Sequence, residues 1–162
     1  IYQRPYKVTK LTELHSMQYK VLHRIITCNY WLNKIKILDS AKCWFCNEID
    51  TIIHHLATCE SVLTYWSIFL GWWNRTGYPE LTQILDADVL FGLCIKAGKV
   101  LNVCLLLSKK IIIRSKLSQK KPFFYDFLRE LKYYIEIEHQ ISTKNNSLEI
   151  FNQEWQLLYD SV

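Results

Sequence analysis

Apolar side chains recur every three or four residues along most of this chain and nowhere alternate convincingly, so the pattern predicts helices throughout and an all-α fold. From Thr12 to Ile26, Leu14, Met17, Val21, Leu22 and Ile25 form one stripe, with Lys20 and Arg24 four apart on another face. Tyr30 to Ile37 continues with Trp31, Leu32, Ile35 and Ile37 until Asp39-Ser40 offers a turn. From Glu60 onward, Val62, Leu63, Trp66, Phe69, Leu70 and Trp73 repeat the spacing, and Gly77 with Pro79 ends it. A short helix or turn is expected between Ile84 and Gly92. Lys99 to Ser118 is apolar on nearly all sides as far as Leu107, the mark of a central buried helix. It turns basic at Lys109, Lys110, Arg114 and Lys116, where it is expected to emerge into solvent. Pro122 suits the first turn of another helix carrying Phe124, Phe127, Leu128, Leu131, Tyr134 and Ile135. A last helix follows Asn145-Asn146-Ser147, with Leu148, Phe151, Trp155 and Leu158 facing inward.

With 162 residues, half of them apolar, and few Gly or Pro, the chain can bury a sizeable core and is not disordered. No membrane span is expected, because charged residues interrupt the most apolar run, Val103 to Leu107, on both sides. The opening Ile1-Tyr2-Gln3, without a Met, leads us to expect a segment of a longer protein.

One cluster changes this picture: Cys43-Trp44-Phe45-Cys46, then His54, then Cys59, a Cys-x2-Cys-x7-His-x4-Cys spacing. Zn²⁺ in a structural site takes a closed tetrahedron of thiolates and imidazoles, and a Cys-x2-Cys turn plus a second pair is the usual layout. Three thiolates and one imidazole leave no open position for water, so the expected metal is structural, not catalytic. On an α-helix His55, four residues before Cys59, would share its face, whereas His54 lies five before; both stay candidates on spacing alone. Cys28, Cys94 and Cys104 stand singly among aliphatic neighbours and read as core residues. With no secretory h-region at the start, reduced, intracellular thiols are expected, not a disulfide framework. The cluster divides the chain into a helical zinc-binding subdomain, residues 1–75, and a C-terminal helical subdomain, residues 76–162, packed on it, with the stapled loop between helical layers.

Charge is distributed in blocks. Residues 1–46 hold eight Lys or Arg against two acids, and residues 96–121 eight against none, while the intervening and final segments are acidic. Two basic blocks in one folded protein can converge on a positive surface, and phosphate contacts dominate nucleic-acid affinity. The candidate contacts are Lys20, Arg24, Lys34, Lys36 and Lys42 from the first block and Lys109, Lys110, Arg114, Lys116, Lys120 and Lys121 from the second. Trp44 is a candidate to stack an unpaired base, and Phe45 reads more as a seal between loop and core. Glu48 and Asp50, between Cys46 and His54, argue against phosphate contact by the loop itself, which leaves the metal a scaffolding role. No paired-carboxylate polymerase or nuclease motif, Gly-rich phosphate loop or nucleophile triad is visible; Asp86 and Asp88, two apart, could bind Mg²⁺ but read more readily as a capped turn on a solvated loop.

The run Gln18 to Ile25, then Thr27-Cys28-Asn29, Leu32, Ile35, Asp39-Ser40, Cys43-x-Phe45-Cys46, Thr51-Ile52, His54, Cys59 and Trp66 resembles the zinc-binding C-terminal region of non-LTR (LINE-type) retrotransposon reverse transcriptases. Asp88-x-Leu90-Phe91-Gly92, the Leu-rich helix ending in Lys109-Lys110, Lys121-Pro122 with Phe127-Leu128, and Phe151 to Trp155 are similar to the end of the same family's chain. His55 departs from that pattern, which more often carries an aliphatic residue there. The resemblance implies Cys43, Cys46, His54 and Cys59 as ligands. It implies a non-catalytic part that grips RNA or target DNA during target-primed reverse transcription, beside upstream reverse transcriptase and endonuclease domains. It also implies residence in the nucleus and in cytoplasmic ribonucleoprotein. A zinc-stapled module that binds a protein partner or the rest of the polyprotein is the alternative expectation.

Overall fold

The computed structural model describes residues 7–92 and 98–159. Among these residues seven α-helices follow in order: α1 (Thr12–Leu22), α2 (Asn29–Lys34), α3 (Glu60–Trp73), α4 (Asp86–Phe91), α5 (Gly98–Leu117), α6 (Phe124–Lys144) and α7 (Leu148–Tyr159), with a π-helical turn, His54–Thr58, leading into α3. The fold is all-α, and the single antiparallel bridge among the described residues, Lys42 to Ile49, closes the loop that carries Cys43 and Cys46.

Helix α5 is the axis. Its residues Val100, Leu101, Val103, Cys104, Leu105, Leu106, Leu107, Ile111 and Ile112 are buried, more than one stripe's worth, because α1, the π turn, α6 and α7 all pack on it. On α6 the stripe narrows to Phe127, Leu131, Tyr134 and Ile135, and on α7 to Phe151, Trp155 and Leu158, so each of these helices shows water one polar face. The two fold back on each other across Asn145–Ser147 and are closely packed. Between α3 and α6 the rings of Trp66, Phe69, Trp72, Phe124 and Phe127 meet at centroid distances of 5.2–5.8 Å. Such tilted and edge-on pairs add about 0.5–1.5 kcal/mol each beyond the area they bury.

The helix ends depart from the apolar pattern. Helix α1 stops at Leu22 and α2 at Lys34, and Ile25, Ile35 and Ile37 are exposed, not core. In both places a non-glycine residue takes the left-handed conformation that ends a helix: Arg24 at φ 58° and Lys36 at φ 60°. The next amide then bonds back five residues, Ile25 N–H to Lys20 O and Ile37 N–H to Leu32 O, each at 2.9 Å. Pro122 lies outside α6, which begins two residues later, and Leu148 is exposed at the start of α7. Cys28 and Cys104 are buried among apolar neighbours, as their sequence context predicts, and Cys94 lies outside the described residues.

Candidate metal centre

Two short pieces of chain carry the four ligands. The first is the loop between Ala41 and Asp50, pinned by Asp50 N–H to Ala41 O at 2.9 Å and Cys43 N–H to Glu48 O at 2.7 Å, with Asn47 at φ 64° turning the chain. The second is the π turn, in which Cys59 N–H bonds to His54 O, five residues back, at 3.0 Å. That wider turn answers the choice between the two histidines. An α-helix would align Cys59 with His55; a turn with one extra residue brings His54 round to Cys59 and sends His55 elsewhere.

The ligand atoms of Cys43, Cys46, His54 and Cys59 all lie within 4.8 Å of one another, and the cluster can hold a metal ion. Cys43 Sγ is 3.7 Å and Cys46 Sγ 4.0 Å from Cys59 Sγ, and His54 Nε2 is 3.1 Å from Cys46 Sγ. A tetrahedral metal with metal–sulfur bonds of about 2.3 Å spans sulfur pairs about 3.8 Å apart, so the thiols stand at ligand spacing and too far apart for a disulfide. Local electrostatics favour the charge state a metal takes at Cys59 and His54 and oppose it at Cys46. Cys59 caps the start of α3, accepting from Val62 and Leu63 N–H through its carbonyl at 2.8 Å, and its sulfur is 3.3 Å from the Ser61 hydroxyl. Burial raises the Cys59 thiol, but the Ser61 hydroxyl and the Lys116 charge outweigh this and leave it below its ordinary value. Burial, then the Lys116 charge, lowers the His54 imidazole, which keeps it neutral. Burial, with Cys43 and Cys59 beside it, pushes the Cys46 thiol up to about 11: crowded thiolates repel until a cation sits among them.

His55 serves a different group. Its Nδ1–H donates to Asp50 Oδ2 at 2.9 Å, and Lys116 Nζ donates to Asp50 Oδ1 at 3.1 Å, with all three side chains buried. The Asn29 N–H adds a third bond to Asp50 Oδ2 at 2.9 Å. Burial pushes the Asp50 carboxyl up; the His55 hydrogen bond and charge, the Asn29 amide and the Lys116 charge together hold it down, to about 2.

The basic residues divide. Lys20, Arg24, Lys34, Lys36, Lys42, Arg114, Lys120 and Lys121 are exposed. Lys109 and Lys116 are not, which corrects their reading as nucleic-acid contacts: each is less than 5 % exposed, Lys116 on Asp50 and Lys109 donating to Gln18 Oε1. Positions 105, 109, 112 and 116 make one helical stripe, and Leu105 and Ile112 fix it as the buried one. Burial brings the Lys109 ammonium down to about 7. Lys110 is half-buried between Glu13 and Glu130, at 3.0 and 2.9 Å. The two basic blocks converge in part, since Lys20 from α1 and Lys110 and Arg114 from α5 border one groove of about 410 Å³. Trp44 is 49 % exposed, while Phe45 packs on the core. Asp88 caps α4, accepting from Leu85 N–H at 2.9 Å. Asp50 and its partners were invisible to sequence reasoning, since nothing in their spacing links residues 29, 50 and 116.

No family model, curated protein or solved structure matches this chain.

Proposed function

We propose that this segment is the zinc-binding, nucleic-acid-gripping C-terminal part of a LINE-type reverse transcriptase. It would hold template RNA or target DNA during target-primed reverse transcription, while upstream domains of the same polyprotein perform the chemistry. Zinc is the metal that suits three thiolates and an imidazole at tetrahedral spacing, with no position left for substrate. Its task is to hold the loop and the π turn together, so that what projects from them projects rigidly.

The observation that carries the reading is exposed charge beside an exposed ring: Lys42 and the half-exposed indole of Trp44 flank Cys43 on the ligand loop, and Lys34 and Lys36 are exposed at the end of α2, a combination of phosphate partners and a stacking surface. Arg24 and Lys36 strengthen it. Each occupies a left-handed helix-ending position where glycine fits without strain, so the backbone does not call for a long cation at either place. The groove between α1 and α5 adds Lys20, while Lys110 and Arg114 on its border are already paired with Glu13 and Glu130.

A salt titration of RNA and DNA oligonucleotide binding tests this. Backbone-dominated binding should weaken steeply with salt and show little sequence preference, and alanine at Lys34, Lys36 and Lys42 together should flatten the slope by about two to three counterions. Absence of measurable binding at low salt would overturn the proposal. The apolar floor of the groove, formed by Leu14, Met17, Ile26 and Ile113, favours the second reading, a protein-interaction module. That reading expects a partner whose binding survives the salt that strips nucleic acid.

A further inference from the structure

Lys116 lies 57 residues beyond the last ligand in sequence and hydrogen-bonds to none of the four, yet its ammonium ends in the wall that supports them, on Asp50. The link is Asp50. Its carboxylate takes Lys116 from α5, His55 from the π turn and the Asn29 amide from the start of α2. Its backbone is held as well, the N–H by Ala41 O at 2.9 Å and the carbonyl by Tyr30 N–H at 3.2 Å. Asn29 Nδ2 donates in turn to Lys42 O, one residue before the first ligand, at 2.6 Å. Every piece of chain that presents a ligand is therefore tied to this one carboxylate.

We infer that Lys116 is a positioning residue for the metal centre, and that through Asp50 it couples metal occupancy to the docking of the last turn of α5. This rests on reading the four-residue cluster as a metal site. The physical reason is the cost of a buried charge. Removing the Lys116 ammonium leaves Asp50 Oδ1 buried without its charged partner, while Oδ2 keeps His55 and Asn29, and Oδ1 regains solvation by opening of the loop between Ala41 and Asp50. A loop that must be closed again by the metal binds it less tightly, because ordering is drawn from binding free energy. Linkage makes the effect reciprocal: losing the metal frees the loop, weakens the hold on Lys116 and loosens the α5 end from which Lys120 and Lys121 project.

The test compares wild type, Lys116→Met and Lys99→Met; Lys99 pairs with Glu154 at the opposite end of α5. Zn²⁺ affinity is read by chelator competition, and the site's symmetry by visible absorption of the Co²⁺ form. Lys116→Met should lose at least about ten-fold in affinity and shift the Co²⁺ bands, as outer partners of ligands do, while Lys99→Met should match wild type. In wild type, chelation should speed amide exchange at residues 116–120 and leave Phe124–Lys144 protected. The inference is overturned if Lys116→Met binds as wild type does, or if chelated wild type keeps the last turn of α5 protected. If Lys116→Met does not fold, the exchange experiment on wild type decides alone. Failure of wild type to bind Zn²⁺ or Co²⁺ would overturn the metal reading itself, a different result from a wild type that binds and a variant that binds equally.

Discussion

Around the four ligands the chain runs in elements of six and five residues, α2 and the π turn, joined by loops and held by thiols, an imidazole and a buried Asp50 with its hydrogen-bond donors. Across the contact of α3 with α6, helices of 14 and 21 residues interlock aromatic rings and need no charge at all. The difference teaches where a chain of this size needs specific chemistry. Long amphipathic helices bury enough apolar surface to hold each other, whereas elements of one or two turns cannot nucleate or persist alone. There the exposed Ile35, Ile37, Ile49 and Ile53 contribute little, and bonds of fixed geometry take over.

Metal removal should separate the two regions most sharply. Chelation, or Cys46→Ser, should abolish amide protection over residues 41–60 while helical circular dichroism falls only in part. Native mass spectrometry should show one Zn²⁺ in wild type and none in the variant. Uniform unfolding of the whole chain would break the comparison. Phe127→Ala should attack the other region alone: the ring is fully buried against Phe69, Trp72 and Phe124. Its loss should cost about 3–5 kcal/mol in denaturant unfolding, with one Zn²⁺ retained in the folded protein.

A third, smaller effect lies between the regions, at Lys109. Its pKa in the folded chain, about 7, stands below the value of about 10.4 expected in the unfolded chain. Between those values the unfolded state binds the extra proton, so stability rises with pH there and the penalty is full below pH 7. No other titratable side chain lines its small cavity among the described residues. Wild type should therefore gain on Lys109→Met by about 1.4 kcal/mol per pH unit from pH 7 to 9, measured by urea unfolding at each pH. A constant difference would show that Lys109 stays protonated in the folded chain across this range. Smallest in stability is Lys36→Gly, expected to be neutral or to stabilise by up to about 1 kcal/mol, because φ 60° suits glycine. If Lys36 serves binding, the same variant should hold RNA or DNA more weakly despite its sound fold. Equal affinity would remove Lys36 from the interface.

The metal cluster was legible because its ligands fall within one short stretch and their chemistry is specific: Cys43, Cys46 and Cys59 declare themselves. Helices α3, α5, α6 and α7 were legible from their spacing, being long enough for a period to show. The ends of α1 and α2 were not, since Arg24 and Lys36 carry no mark of a left-handed residue. Charge misled most on α5. Four basic residues suggested a helix leaving the core, yet Lys109 and Lys116 follow the buried stripe, and the acceptors that admit them, Gln18 and Asp50, lie 91 and 66 residues away. Local pattern cannot report partners at that distance.

The π turn has one more consequence. His54 and His55 are the same side chain one position apart, and a single wide turn gives one to the thiols and the other to Asp50. Removing one residue between them and Cys59 would let the turn relax to α geometry without losing the alignment of His54 with Cys59. Losing His54 itself would leave a spare imidazole next door, recruitable only by releasing the carboxylate that Lys116 shares. Division of labour between twin residues is set here by helical phase, and the same phase makes the site tolerant of a shortened turn but not of a swap without cost.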